Sequence, residues 1–218
     1  MTNREESIKQ KLRESGIIAA LPGSVPLADI VRVGDALLAS PVLAVEVGGG
    51  PERLQQVADL YQRANSHMII GAGGVETAVD AVPLIQAGAQ FITSPLLDLA
   101  IKAICQQHEV LYIPGIISAV AAQLAFQAEC MMIRLYTGGP AGPDFVNVLY
   151  RTEPNQEIIV ACDIELEQIG RYVTAGASAL MVGKPLYRDA DQPMSDIISQ
   201  ARTLQQAWAA AMENENGD

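Results

Sequence analysis

Four charged side chains stand where apolar stretches of this sequence end or break. Glu46 lies within Val45-Glu46-Val47, Arg134 within Met131-Met132-Ile133-Arg134-Leu135-Tyr136, Asp163 follows Cys162, and Lys184 sits between Gly183 and Pro185. A lone carboxylate in an apolar run is costly unless paired, so Glu46 reads as a general acid/base or as half of a buried ion pair with Arg134. A guanidinium stays protonated in proteins, which suits Arg134 to holding a ligand carboxylate and denies it the role of an amine nucleophile. Asp163 has the type and place of a helix N-cap. The stretches Gly48-Gly49-Gly50-Pro51 and Gly71-Ala72-Gly73-Gly74 lie nearby in the pattern. The second is not a dinucleotide loop, because it lacks the third glycine and the acidic ribose ligand at the right distance.

These residues can act together only if the chain brings their neighbourhoods to one place. Eight short runs, 16–21, 42–47, 68–72, 90–93, 110–113, 131–135, 157–161 and 178–182, are continuously apolar or nearly so, as strands buried on both faces must be. Helical patterns separate them, as parallel neighbours joined by right-handed crossovers require. The reading is one (β/α)8 TIM-barrel domain over 1–218, opened by a short helix at 7–14 over the bottom of the barrel. Further helices are expected at about 26–39, 51–64 with Pro51 in its first turn, and 76–87. Others follow Ser94-Pro95, Ser118, the Gly138-Gly139-Pro140 loop and Asp163, and the last spans about 194–212 before a polar tail that frays from about 213. Ala87-Gly88-Ala89 and Ala175-Gly176-Ala177 read as turns from helix into strand. In such barrels chemistry sits at the C-terminal ends of the strands, where all four charges fall.

Composition narrows the partners. Half of the residues are apolar and 18% charged, more apolar than a solitary barrel needs, which points to a homo-oligomer. A net charge of -11 with 14 Lys and Arg argues against a nucleic-acid partner. No stretch has membrane-spanning length, and the polar start 1–14 is unlike a signal peptide. Cys105, Cys130 and Cys162 lack metal-ligand spacing and read as small buried hydrophobes in a cytoplasmic protein.

Val45-Glu46-Val47, Ile70-Gly71-Ala72-Gly73, Gly88-Ala89-Gln90-Phe91 with Ser94-Pro95, and Ile113-Pro114-Gly115-Ile116 occur in an order and spacing that resemble the 2-keto-3-deoxy-6-phosphogluconate and 4-hydroxy-2-oxoglutarate aldolases. The resemblance runs over nearly the whole chain and is strongest in strands two to five. It implies a class I aldolase-like barrel, typically a trimer and without a cofactor, that cleaves a 2-keto-4-hydroxy acid to pyruvate and an aldehyde through a lysine Schiff base. It gives Glu46 the acid/base role and points to Gly74, Ser94, Pro95, Pro114, Gly115, Asp163 and Gly183 as substrate-binding positions.

Against that pattern the residues depart in a consistent direction. The Schiff-base lysine position is Arg134, and the lysines present are Lys9, Lys11, Lys102 and Lys184, of which Lys184 alone falls at the active face. Lys184 could pair with Asp163, bind an anionic ligand or replace the nucleophile; a lysine beside a carboxylate keeps its proton, and a nucleophile must lose it. Asp163 stands in place of a phosphate-binding glycine pair. Gly50 replaces an arginine that binds the substrate carboxylate, and Gly74 replaces a threonine, changes expected to enlarge the pocket. His67 and His108 precede strands at the bottom face, so no metal-dependent aldolase is expected. The expectation is an aldolase-like barrel for a small 2-keto acid with Glu46 as acid/base and Arg134 on the carboxylate; the alternative is a non-catalytic barrel that binds such an acid or a protein partner.

Overall fold

Eight parallel strands close into a barrel in chain order, β1 beside β2 through to β8 and back to β1, in the computed structural model, which describes residues 2–136, 142–161, 164–189 and 191–216. They are β1 (Ile17–Leu21), β2 (Ala44–Val47), β3 (Ile69–Ala72), β4 (Phe91–Ser94), β5 (Leu111–Ile116), β6 (Met132–Tyr136), β7 (Glu157–Ala161) and β8 (Ala179–Val182). Each overlaps its apolar run. β5 extends past the expected end, since a proline fits extended backbone and Ser94 and Pro114 are still in register.

The helices are α1 (Asn3–Ser15), α2 (Leu27–Leu38), α3 (Arg53–Ala64), α4 (Ala78–Gln86), α5 (Leu99–Gln107), α6 (Ala119–Gln127), α7 (Gly142–Thr152), α8 (Ile169–Thr174) and α9 (Met194–Asn216). Three differ from the sequence expectation for local reasons. α1 begins earlier because Thr2 and Glu5 form a reciprocal capping box. α3 begins at Arg53 with Glu52 as its N-cap, leaving Pro51 ahead of the helix. α9 continues past the expected end at about 212 to Asn216, since 213–216 contain no glycine or proline. The segment before α8 opens with a 3-10 turn at Leu166–Gln168 capped by Glu165, while the expected cap Asp163, with Cys162, lies outside the described residues. The 138–140 loop lies outside them too.

Strand alternation decides what fills the barrel. Ile18, Ala44, Ile69, Phe91, Leu111, Ile113, Met132, Ile159, Ala161, Ala179 and Met181 form one buried cluster in its interior, closed at the N-terminal end by Ile8 and Leu12 of α1. Glu157 ties α1 to that end through Lys9 at 3.4 Å and Arg13 at 3.5 Å. Intervening residues such as Val45, Ile70, Ile92 and Ile133 pack against the helices in a second cluster. Cys105 and Cys130 are buried and unpaired, and burial pushes their thiols up to about 12 and about 11, so they act as packing groups. Among the described residues, no helix is long and apolar enough to cross a membrane.

Phe91 is the largest fully buried side chain in the interior cluster, and its ring occupies the space that a side chain at Gly71 would need. Phe91→Ala should therefore lower the unfolding free energy by about 3–5 kcal/mol in urea titration, the usual result of opening a cavity in a packed core; a loss below about 1 kcal/mol would mean that the interior collapses around the gap.

Candidate active site

Above the aliphatic interior, at the C-terminal end of the barrel, the inward positions turn polar. Glu46 on β2 is 3% exposed, and Arg134 on β6 reaches across to it: Nη1 donates to Oε1 at 2.9 Å and to Oε2 at 3.2 Å. Thr93 on β4, fully buried, completes the group by donating its hydroxyl to Glu46 Oε2 at 2.8 Å and accepting from Arg134 Nη1 at 3.1 Å. The expected pairing of Glu46 with Arg134 is present. Arg134 Nε is buried with no hydrogen-bond partner among the described residues.

Two neighbours shape this pair. A side chain at Gly73 would place its Cβ 2.2 Å from Glu46 Oε1, so only glycine lets the carboxylate lie flat beneath the loop after β3. Tyr136, two residues beyond Arg134 on β6, carries the guanidinium carbon 4.8 Å from its ring centroid, a cation–π contact. Burial holds the Tyr136 phenol above its ordinary range, with Arg134 pulling the other way, so it remains a neutral O–H at physiological pH.

Arg53, the first residue of α3, approaches the same end of the barrel from the rim. Its Nη1 donates to the carbonyl of Gly73 at 2.7 Å and, more loosely, to that of Gly74 at 3.4 Å. Burial lowers its affinity for its proton, and the carboxylates of Asp80, Glu46 and Glu76 oppose that effect. Nothing in the sequence pattern singled it out, because it belongs to a helix rather than a strand end. Thr93 and Tyr136 were also missed, although both share strand parity with an inward neighbour, Phe91 and Arg134 respectively.

The remaining predicted positions separate. Ser94 does not face the mouth: its hydroxyl is 1% exposed as a residue, bonds Tyr112 Oη at 2.6 Å and donates to the Leu96 carbonyl at 2.5 Å. Its odd step from Thr93 turns it to the outer side of the strand. Gly115 is in register with Arg134, and a Cβ there would meet the Pro95 carbonyl at 2.2 Å, so Gly115 and its neighbour Pro114 serve close packing of the strand ends. Pro95 is exposed at the start of the loop after β4. Gly74 has positive φ and open space beside it, whereas Gly50 does not enlarge the pocket: a Cβ on it would meet the Gly23 carbonyl at 2.2 Å, because the loop after β1 occupies that space. Gly183 and Lys184 follow β8, where Lys184 lines a separate cavity of about 420 Å³ with Ile164, Glu165, Pro185 and Arg188. Its expected pairing with Asp163 falls outside the described residues. His67 and His108 stand just before β3 and β5, at the opposite end of the barrel from Glu46.

A buried charge pair with a supporting hydroxyl holds a guanidinium in place beside an aromatic ring; it offers no amine nucleophile. The loss of either charge should be severe. Arg134→Met is expected to destabilise the protein by about 3–5 kcal/mol in urea titration, because Glu46 is left uncompensated, and adding Glu46→Met should recover much of that loss. A double variant no more stable than the single one would show that the pair is not the dominant electrostatic constraint.

Residues 8–199 match the family described as KDPG and KHG aldolase. The chain is 24% identical over 199 residues to the 2-dehydro-3-deoxy-6-phosphogalactonate aldolase of Escherichia coli, covering 90% of this chain and 96% of that one. Its fold superposes on a native KDPGal structure with a TM-score of 0.81 at 23% identity, covering 90% and 96% of the two chains. A second superposition, with a TM-score of 0.75 at 17% identity over 96% of this chain and 98% of the other, is on KDPG aldolase from Legionella pneumophila with pyruvate captured at low pH as a covalent carbinolamine intermediate.

Proposed function

We propose, because this chain belongs to the KDPG and KHG aldolase family, that it takes a small 2-keto acid at the C-terminal mouth of its barrel and does so without forming a lysine Schiff base there. The observation that carries the reading is the Arg134–Glu46 pair at 2.9 Å. A carbinolamine, such as the one captured in the Legionella pneumophila enzyme, needs an amine nitrogen that has lost its proton. Here the inward residue of β6 is a guanidinium, which keeps its charge, and that charge is committed to the carboxylate assigned to acid/base work. Lys9 lies in α1 and Lys102 in α5, and Lys11 lies in α1 as well, all away from the mouth. The chain accordingly reads as a binder of a 2-keto acid rather than an ordinary class I lyase. Buried, unpaired Cys105 and Cys130 suit the reducing cytoplasm.

Soaking with pyruvate followed by borohydride reduction, read by intact mass and peptide mapping, tests the chemistry. No adduct is expected, and an adduct on Lys184 would overturn the reading.

The quaternary proposal is a homotrimer. The loops after β4 and β5 and the helix starts that follow expose Leu96 (58%), Leu99 (64%), Ile117 (66%) and Val120 (67%), more apolar surface than isolated side chains normally leave on a monomer. Sedimentation equilibrium should give about three times the chain mass, and Leu99→Asp with Val120→Asp should shift the protein towards monomer. A monomeric wild type would remove the proposal.

A further inference from the structure

We infer that the carboxylate of the 2-keto acid docks on Arg53, at the rim between the loops that follow β2 and β3, and not on Arg134; the inference rests on the reading above that such an acid is the ligand. Charge counting at the mouth makes the first argument. Arg134 and Glu46, 2.9 Å apart, neutralise each other. An incoming carboxylate that displaced Glu46 from Arg134 would leave a second anion buried without compensation. It needs a further cation.

Arg53 supplies one in a fixed place. Both of its hydrogen bonds among the described residues come from Nη1, to the carbonyls of Gly73 and Gly74, so the guanidinium is tethered at one nitrogen while Nε and Nη2 have donors to offer. That tether spans the loop lying directly over Glu46, because Gly73 packs against Glu46 Oε1. The ground beside Arg53 is bare of side chains: a Cβ on Gly74 would meet nothing nearer than Gly49 N at 3.9 Å, and one on Gly49 nothing nearer than Arg53 Nη1 at 3.8 Å. The backbone N–H groups of Gly49 and Gly74 donate to no atom of the described residues. A half-buried guanidinium beside such a bare floor matches a planar, small carboxylate in size and charge.

Other charges nearby do not occupy the site. Glu76 and Asp80 act on Arg53 electrostatically but are solvent-exposed, and Asp80 Oδ2 accepts the Thr77 hydroxyl at 2.7 Å. Helix stability does not explain the residue either, since a cation at the first turn opposes the helix dipole, and the acidic N-cap of α3, Glu52, turns its carboxylate to Leu27 N at 3.0 Å.

Calorimetry of pyruvate and of its uncharged analogue pyruvamide on wild type, Arg53→Met and Arg53→Lys tests this. Wild type should prefer pyruvate. Arg53→Met should weaken pyruvate on the order of 10- to 100-fold, the loss of a charge-assisted pair, while leaving pyruvamide nearly unchanged, so that the preference for the acid disappears. Arg53→Lys, which keeps a cation able to reach the Gly73 carbonyl, should retain part of the preference. The ratio of the two ligands separates recognition from a merely loosened loop, which would weaken both equally and overturn the inference. Unchanged pyruvate binding by Arg53→Met would overturn the role of Arg53 and leave the 2-keto acid reading standing. Absence of pyruvate binding to wild type would remove both.

Discussion

Burying a carboxylate inside a closed barrel of aliphatic side chains creates a debt of charge that the rest of this molecule is arranged around. Glu46 cannot face outward, because β2 pairs with β1 and β3 along its length and its neighbours Val45 and Val47 pack under the helices. It must therefore point inward, and inside the barrel an unpaired anion would be several kcal/mol out of balance or would take up a proton. Arg134, extending from the opposite wall, supplies the balance; Thr93 fills the remaining lone-pair direction; Gly73 leaves the carboxylate room. Each of these residues is comprehensible only from Glu46.

The barrel itself was legible in the sequence because its information is local. A strand covered on both faces must be apolar throughout, and a helix must follow it, so the eight runs marked the eight strands with errors of a few residues at their ends. Glu46 and Arg134 were legible for the same reason, as charges interrupting such runs. The outward direction of Ser94 was legible too: Phe91 faces inward, so Thr93 shares that direction and Ser94 does not. Gly50 and Arg53 are different in kind. The loop after β1 fills the space over Gly50 through a contact between Gly23 and Gly50, and Arg53 reaches Gly73 across 20 residues of chain. Neither approach leaves a periodic trace, since both depend on how two loops stack once the barrel has closed.

On the proposed reading, in which Arg134 stands where the family has its lysine, an arginine facing Glu46 has a physical logic that an apolar residue there lacks. Two properties reside in a lysine facing Glu46: a positive charge that lets the carboxylate be buried, and an amine that can shed its proton and attack a carbonyl. Arginine separates them, because its delocalised cation is always charged and forms a fork of donors that can hold both carboxylate oxygens and a hydroxyl together. The barrel thus keeps its electrostatic balance, and on the proposed reading it does so without an amine nucleophile on β6. A methionine or leucine would have removed the nucleophile at the cost of stranding Glu46. On that reading the charge serves the burial of Glu46 and the amine would serve the chemistry, so a barrel can keep the fold of its family and lose its reaction through one residue.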